Sequence, residues 1–317
     1  MTGRWLTLGM VLATVVSASL GCSEGSAVDS GSVTKVNQPI LNGTEATDAK
    51  YNAIGALMTD IGNGQVLLDV ACSGTLVAKK AVVTAKNCLK HIDQAKAAGK
   101  GAYFGFGFDS TTPDQLIPIT SYVAAPPAKN GDKGLLQDGG RDLAVVYLES
   151  APVDIKPAKL GLFTEELLGT QFQIAGFGVS TDWGYYGDRY VGPATARALQ
   201  GRWYPLLFNG DKQAFLNWYW TDSPYGGVSE ADALSWWKSY KLEAGYELFA
   251  GGLPGEANGC FGDSGGPIFL YNKADNLKVY GVSFAVEESI TSVCALGNAY
   301  QIFNEKMLDF VKDAIGK

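Results

Sequence analysis

The chain holds one histidine, His91, in 317 residues. That excludes a metal centre built on several imidazoles. Basic residues are also short: Lys and Arg number 25 against 32 Asp and Glu, for a formal charge of −7. The positive footprint that phosphate-driven nucleic-acid binding needs is absent, and no nucleic-acid partner is expected. Charged residues make up only 18% of the chain, below the usual quarter. The five cysteines contain no C-x-x-C spacing, so a zinc knuckle is excluded too. Neither a metal nor a cofactor is expected. Glycine, by contrast, is plentiful at 40 residues. Low charge with high glycine suits a turn-rich β protein.

Residues 1–22 read as an export signal. Arg4 precedes an apolar run from Trp5 to Leu20, followed by Gly21 and Cys22. The run is shorter than the roughly twenty residues a membrane span requires, and no later run is long enough to be one. The ending Ser19-Leu20-Gly21-Cys22 resembles a bacterial lipobox, so Cys22 is expected to carry lipid. This implies an exported bacterial protein, either an envelope lipoprotein or secreted, meeting membrane only through its anchor. Residues 23–39 are small and polar and read as a linker or pro-segment. Without Cys22, four cysteines remain, enough for two disulfides in an exported chain.

Short apolar or alternating runs at 53–60, 65–71, 75–84, 102–108, 117–124, 143–148, 172–178, 267–271 and 279–285 read as strands. They predict an all-β barrel or sandwich. The end differs: Met307, Leu308, Phe310, Val311, Ala314 and Ile315 recur at helical spacing, with Asn304 as cap and Gly316 as stop. Residues 229–242 read as a second short helix capped by Ser229.

The strongest chemical signal is Cys260-Phe261 followed by GDSGGP at 262–267. Glycines flanking Ser264 can expose its hydroxyl while turn N–H groups converge on one point, making a nucleophile and an oxyanion hole together. This segment resembles the nucleophile motif of the chymotrypsin/trypsin family of serine proteases. Other matches follow in the family's order: Ile40-Leu41-Asn42-Gly43 at the mature N-terminus, CSGTL at 72–76, TAKNC at 84–88, DLAVV at 142–146, GFG at 176–178 and VSF at 282–284. The resemblance implies two six-stranded antiparallel β-barrels, 40–155 and 156–302, with a cleft between them and a C-terminal helix over 304–315. It also implies Cys72–Cys88 and Cys260–Cys294 disulfides, Asp142 as triad acid, and the N–H groups of Gly262 and Ser264 as oxyanion hole. Asn258, Ser283 and Ala285 are expected at the specificity pocket, with no carboxylate for a basic side chain. Activation is expected to pair a new amino terminus at Ile40 with Asp263. Yet Ile40 follows Gln38-Pro39, which a trypsin-like enzyme would not cut.

One departure bears on function. The family's general base is the residue before the motif cysteine, and here it is Asn87. A neutral amide cannot accept the serine proton. Asp142 is expected to hydrogen-bond the amide of Asn87 instead. His91 and Lys86 are weaker candidates for a displaced base. The resulting expectation is a pseudoprotease that binds a peptide or protein in its cleft. Two alternatives are an active endopeptidase with an unrecognised or substrate-supplied base, and a surface glycan-binding or adhesion protein. The last rests on an insertion over about 183–250 that carries Trp183, Trp203, Trp218, Trp220, Trp236 and Trp237 with several tyrosines. Aromatic faces can bind a glycan or a protein, though so long an excursion must also bury a core of its own.

Overall fold

The computed structural model describes residues 40–60, 62, 68–128, 134–135, 141–178, 187–221, 229–271, 276–286, 294 and 296–316. Cys22, the signal segment, Trp183 and the pro-segment before Ile40 lie outside them.

The chain first forms β1 (Thr44–Glu45). It then builds a closed barrel from β2 (Ile54–Asp60), β3 (Leu68–Ala78), β4 (Ala81–Thr84), β5 (Ala102–Phe106), β6 (Gln115–Ala124) and β7 (Ala144–Leu148), in the order β2-β3-β4-β7-β6-β5. Helix α1 (Leu89–Ala97) leaves the end of β4 through a 3₁₀ turn at Lys86–Cys88 and buries Leu89, Ile92 and Ala95. The expected break near residues 72–74 does not occur, and β3 runs through to Ala78. Gly74 is there for packing: a Cβ would stand 2.8 Å from Val82 Cγ1 and 3.0 Å from Phe104 Cε2. A glycine inside a strand marks close approach as often as a turn.

After the short β8 (Lys159–Leu160) come β9 (Gln171–Gly176), β10 (Tyr190–Ala198), β11 (Glu247–Ala250), β12 (Pro267–Tyr271), β13 (Leu277–Val286) and β14 (Asn298–Ile302). The pairings β9-β10-β11-β14-β13-β12 return to β9 and close a second antiparallel six-stranded barrel. Strand β1 pairs with β10, so residues 44–45 join the second barrel rather than the first. Because β10 and β11 complete that barrel, the true excursion lies between them, over 199–246, and not from 183 to 250. Strand β10 was hidden by Gly192 and Pro193. A Cβ at Gly192 would meet Ala257 Cβ at 2.4 Å, so only glycine lets those segments touch.

The excursion folds into α2 (Trp203–Leu207), α3 (Lys212–Thr221) and α4 (Glu230–Ser239) around aromatic rings. Tyr204 packs on Phe215, Trp218, Trp236 and Tyr240, and Trp203 meets Phe249 of β11 edge-on at 5.6 Å. The Ser229 cap forms as read, with Asp232 completing a reciprocal capping box. Helix α5 (Glu305–Ile315) starts at Asn304, whose side chain accepts from the Met307 N–H at 2.9 Å. It buries Met307, Leu308, Val311 and Ala314, and its Ala314 carbonyl accepts from the Tyr147 hydroxyl of the first barrel.

Arg189 is fully buried where the two barrels meet. Its guanidinium donates to the carbonyls of Ala46 (3.0 Å), Ile54 (3.2 Å) and Gly107 (3.2 Å), and to Asn52 Oδ1 (3.3 Å). Burial pulls it down to about 10, so it stays charged at neutral pH.

Both implied disulfides form, Cys72–Cys88 and Cys260–Cys294. Replacing either pair by alanine is expected to lower stability by about 2–4 kcal/mol, the larger loss falling on the 34-residue loop. Denaturant midpoints of the two double variants check this.

Candidate active site

The turn at Lys86–Cys88 is held by the Cys72–Cys88 bond and sets Asn87 at the mouth between the barrels. The Asn87 backbone N–H donates to Oδ1 of the buried Asp142 at 2.8 Å. The side-chain amide does not make that bond. Its Nδ2 turns to the second barrel and donates to the Phe284 carbonyl on β13 at 2.9 Å. Thus the expected Asp142–Asn87 bond is made by the main chain, and the side chain latches one barrel to the other. His91 lies on α1 and is half-buried, as is Lys86 in the turn.

Ser264 is half-buried on the loop that follows Cys260. Its carbonyl accepts from the Ser73 N–H at 2.8 Å, and the Gly265 N–H donates to the Ser283 carbonyl at 2.6 Å. The glycines of the motif have steric reasons. Gly262 has φ of 89°, and a Cβ there would lie 2.8 Å from Gly178 Cα. At Gly265, with φ of 83°, a Cβ would sit 2.1 Å from Thr84 Oγ1 and 2.3 Å from the Ser73 carbonyl. Sequence reasoning missed Ser73. Its hydroxyl donates to the Gly262 carbonyl at 2.8 Å and accepts from the Phe177 N–H at 3.0 Å, tying the oxyanion loop to both barrels.

Asp263 is buried beneath this loop. Its Oδ2 accepts from the Cys260 N–H at 2.7 Å and its Oδ1 from the Gly178 N–H at 2.8 Å. Burial pushes the carboxyl up to about 7 against the pull of those two bonds. Ile40 is buried and lines the same internal gap as Asp263, with Gly259, Ser283 and Tyr300. The native carboxyl holds its proton more tightly than the unfolded one, so its contribution to stability is full near pH 4 and fades as pH rises through about 7. For the uncut chain, stability relative to Asp263→Asn is therefore expected to fall between pH 4.5 and 7.5. Paired urea titrations at the two pH values measure it.

Asn258 is buried; its backbone pairs with Leu41 (2.9 and 3.0 Å), and its Nδ2 donates to the Glu256 carbonyl at 3.3 Å. Ser283 and Ala285 lie on β13, and Ser283 lines the same gap as Gly259. A further polar residue reaches this region from β14: Asn298, buried, whose amide bonds both backbone groups of Gly259. Nothing in its local sequence marked it, because β14 was not read as a strand. Among the described residues no cluster of three His, Cys, Asp or Glu side chains suits a metal ion, and no helix is long and apolar enough to cross a membrane.

The sequence model of the family described as Trypsin matches residues 40–191. Over that span the chain matches the chymotrypsin/trypsin family, and its fold is of the same type. A solved structure with the same fold is neuropsin, a serine protease expressed in the limbic system of mouse brain, at 19% identity, a TM-score of 0.54, and coverage of 86% of this chain and 98% of that one. No curated protein sequence matches the chain. The trypsin-family match includes Asn87 and Asp142 but ends before the Ser264 loop, whose place is given by the closed second barrel.

The tryptophans expected on a glycan-binding face are mostly interior. Trp203 and Trp218 are buried, Trp236 and Trp237 are half-buried, and Trp220 alone of these is exposed, at 47%.

Proposed function

We propose that this trypsin-family chain is an exported pseudoprotease that holds an extended peptide or protein segment in the cleft between its barrels. The observation that carries the reading is Asn87. Its amide has no basic nitrogen to take the Ser264 proton, and its N–H is already committed to the Phe284 carbonyl. The acid, the nucleophile and the oxyanion loop outlast the base because each also supports the fold: Asp142 caps the Asn87 turn, and the Ser264 loop is wedged between barrels. Two disulfides fit an oxidising compartment, and lipid at Cys22 would keep the protein at the cell envelope. The buried aromatic core of the excursion argues for support of the second barrel over glycan binding.

Incubation of the chain, cut before Ile40, with a reduced and carboxymethylated protein tests this. Saturable binding without new amino termini is expected. Cleavage that disappears in Ser264→Ala would contradict it.

A further inference from the structure

We infer that Asn298 closes the side-chain subsite beside Ser264, and that the cleft takes a peptide with glycine at that position. Asn298 stands on β14 between Ala250 of β11 and Val286 of β13. Its side chain crosses from that wall to the floor: Oδ1 accepts from the Gly259 N–H at 2.9 Å, and Nδ2 donates to the Gly259 carbonyl at 3.1 Å. Gly259 follows Asn258, so both backbone groups a ligand side chain would meet above the floor are already used. The fit is close, since a Cβ at Gly259 would lie 3.2 Å from Asn298 Nδ2. Asn298 is 1% exposed. A ligand side chain entering here must expel it and leave two buried backbone groups unpaired, each worth roughly a 5- to 100-fold loss in affinity. Glycine avoids the conflict and leaves recognition to backbone pairing along β13, as in other strand-addition complexes.

This inference rests on the peptide-binding reading for its ligand, though not for the closure itself, and two measurements separate them. First, saturation-transfer NMR with benzamide is run on the full chain and on Asn298→Gly. Signal only in the variant is expected; equal signal in both, or in neither, overturns the closure. Asn298→Ala serves if Asn298→Gly fails to fold. Second, a positional-scanning peptide library is bound to both proteins. The wild type should prefer glycine at one position by at least tenfold, and Asn298→Gly should lose that preference. A wild type that accepts large side chains at every position overturns the glycine requirement. Binding of no member overturns the peptide-binding reading and its ligand, while the benzamide arm still judges the closure.

Discussion

Asn87→His is expected to raise peptide hydrolysis by at least three orders of magnitude. Removal of the histidine from a protease triad on another fold costs about 10⁶ in kcat, while the oxyanion hole and binding alone retain about 10³–10⁴ over water. The wild type should sit on that residual floor. The backbone N–H of residue 87 bonds Asp142 whatever its side chain, so the substitution keeps the turn. It also releases the Phe284 carbonyl from the Asn87 latch. The substrate should carry glycine before the scissile bond, because Asn298 fills the adjoining subsite. The protein should be cut before Ile40, so that Asp263 gains the ammonium partner the family resemblance implies. Ser264→Ala in the same background must abolish the gain. A gain under tenfold in a folded variant would mean that the catalytic geometry has drifted beyond residue 87.

The second large effect is on stability. Arg189→Met is expected to cost about 3 kcal/mol or more, because the Ala46, Ile54 and Gly107 carbonyls lose their donors inside the protein. Opposing this is relief from keeping a guanidinium out of water, the cost that draws it down to about 10. Three carbonyls bonded at 3.0–3.2 Å outweigh it. For a domain of this size the melting temperature should drop by roughly 6–12 °C. An unchanged or higher midpoint in calorimetry would show that desolvation dominates instead.

Local chemistry that repeats or caps was legible in advance. The Asn304 cap and its apolar stripe predicted α5 to within one residue, and Ser229 predicted the start of α4. The GDSGGP segment pointed to a nucleophile loop because its glycines are forced by contacts any such loop must make. What escaped depends on distant partners. Strands β10 and β14 look broken or polar in isolation, and become strands only when a closed barrel supplies both edges. Ser73 and Asn298 act on Gly262 and Gly259, far along the chain, so no spacing rule marks them. Helix α1 was overlooked because its buried face is only Leu89, Ile92 and Ala95. The amide of Asn87 was expected to turn to Asp142; the Phe284 carbonyl, nearly two hundred residues on, is the acceptor instead.

The central claim is that Ser264 has no base. A fluorophosphonate probe reads this directly, since phosphonylation requires an activated serine. The chain cut before Ile40 is treated with the probe beside its Asn87→His and Ser264→Ala variants, and adduct at Ser264 is followed by mass spectrometry. The account predicts stoichiometric adduct in Asn87→His and none above the Ser264→Ala background in the wild type. Adduct at Ser264 in the wild type, at a rate matching Asn87→His, would contradict it.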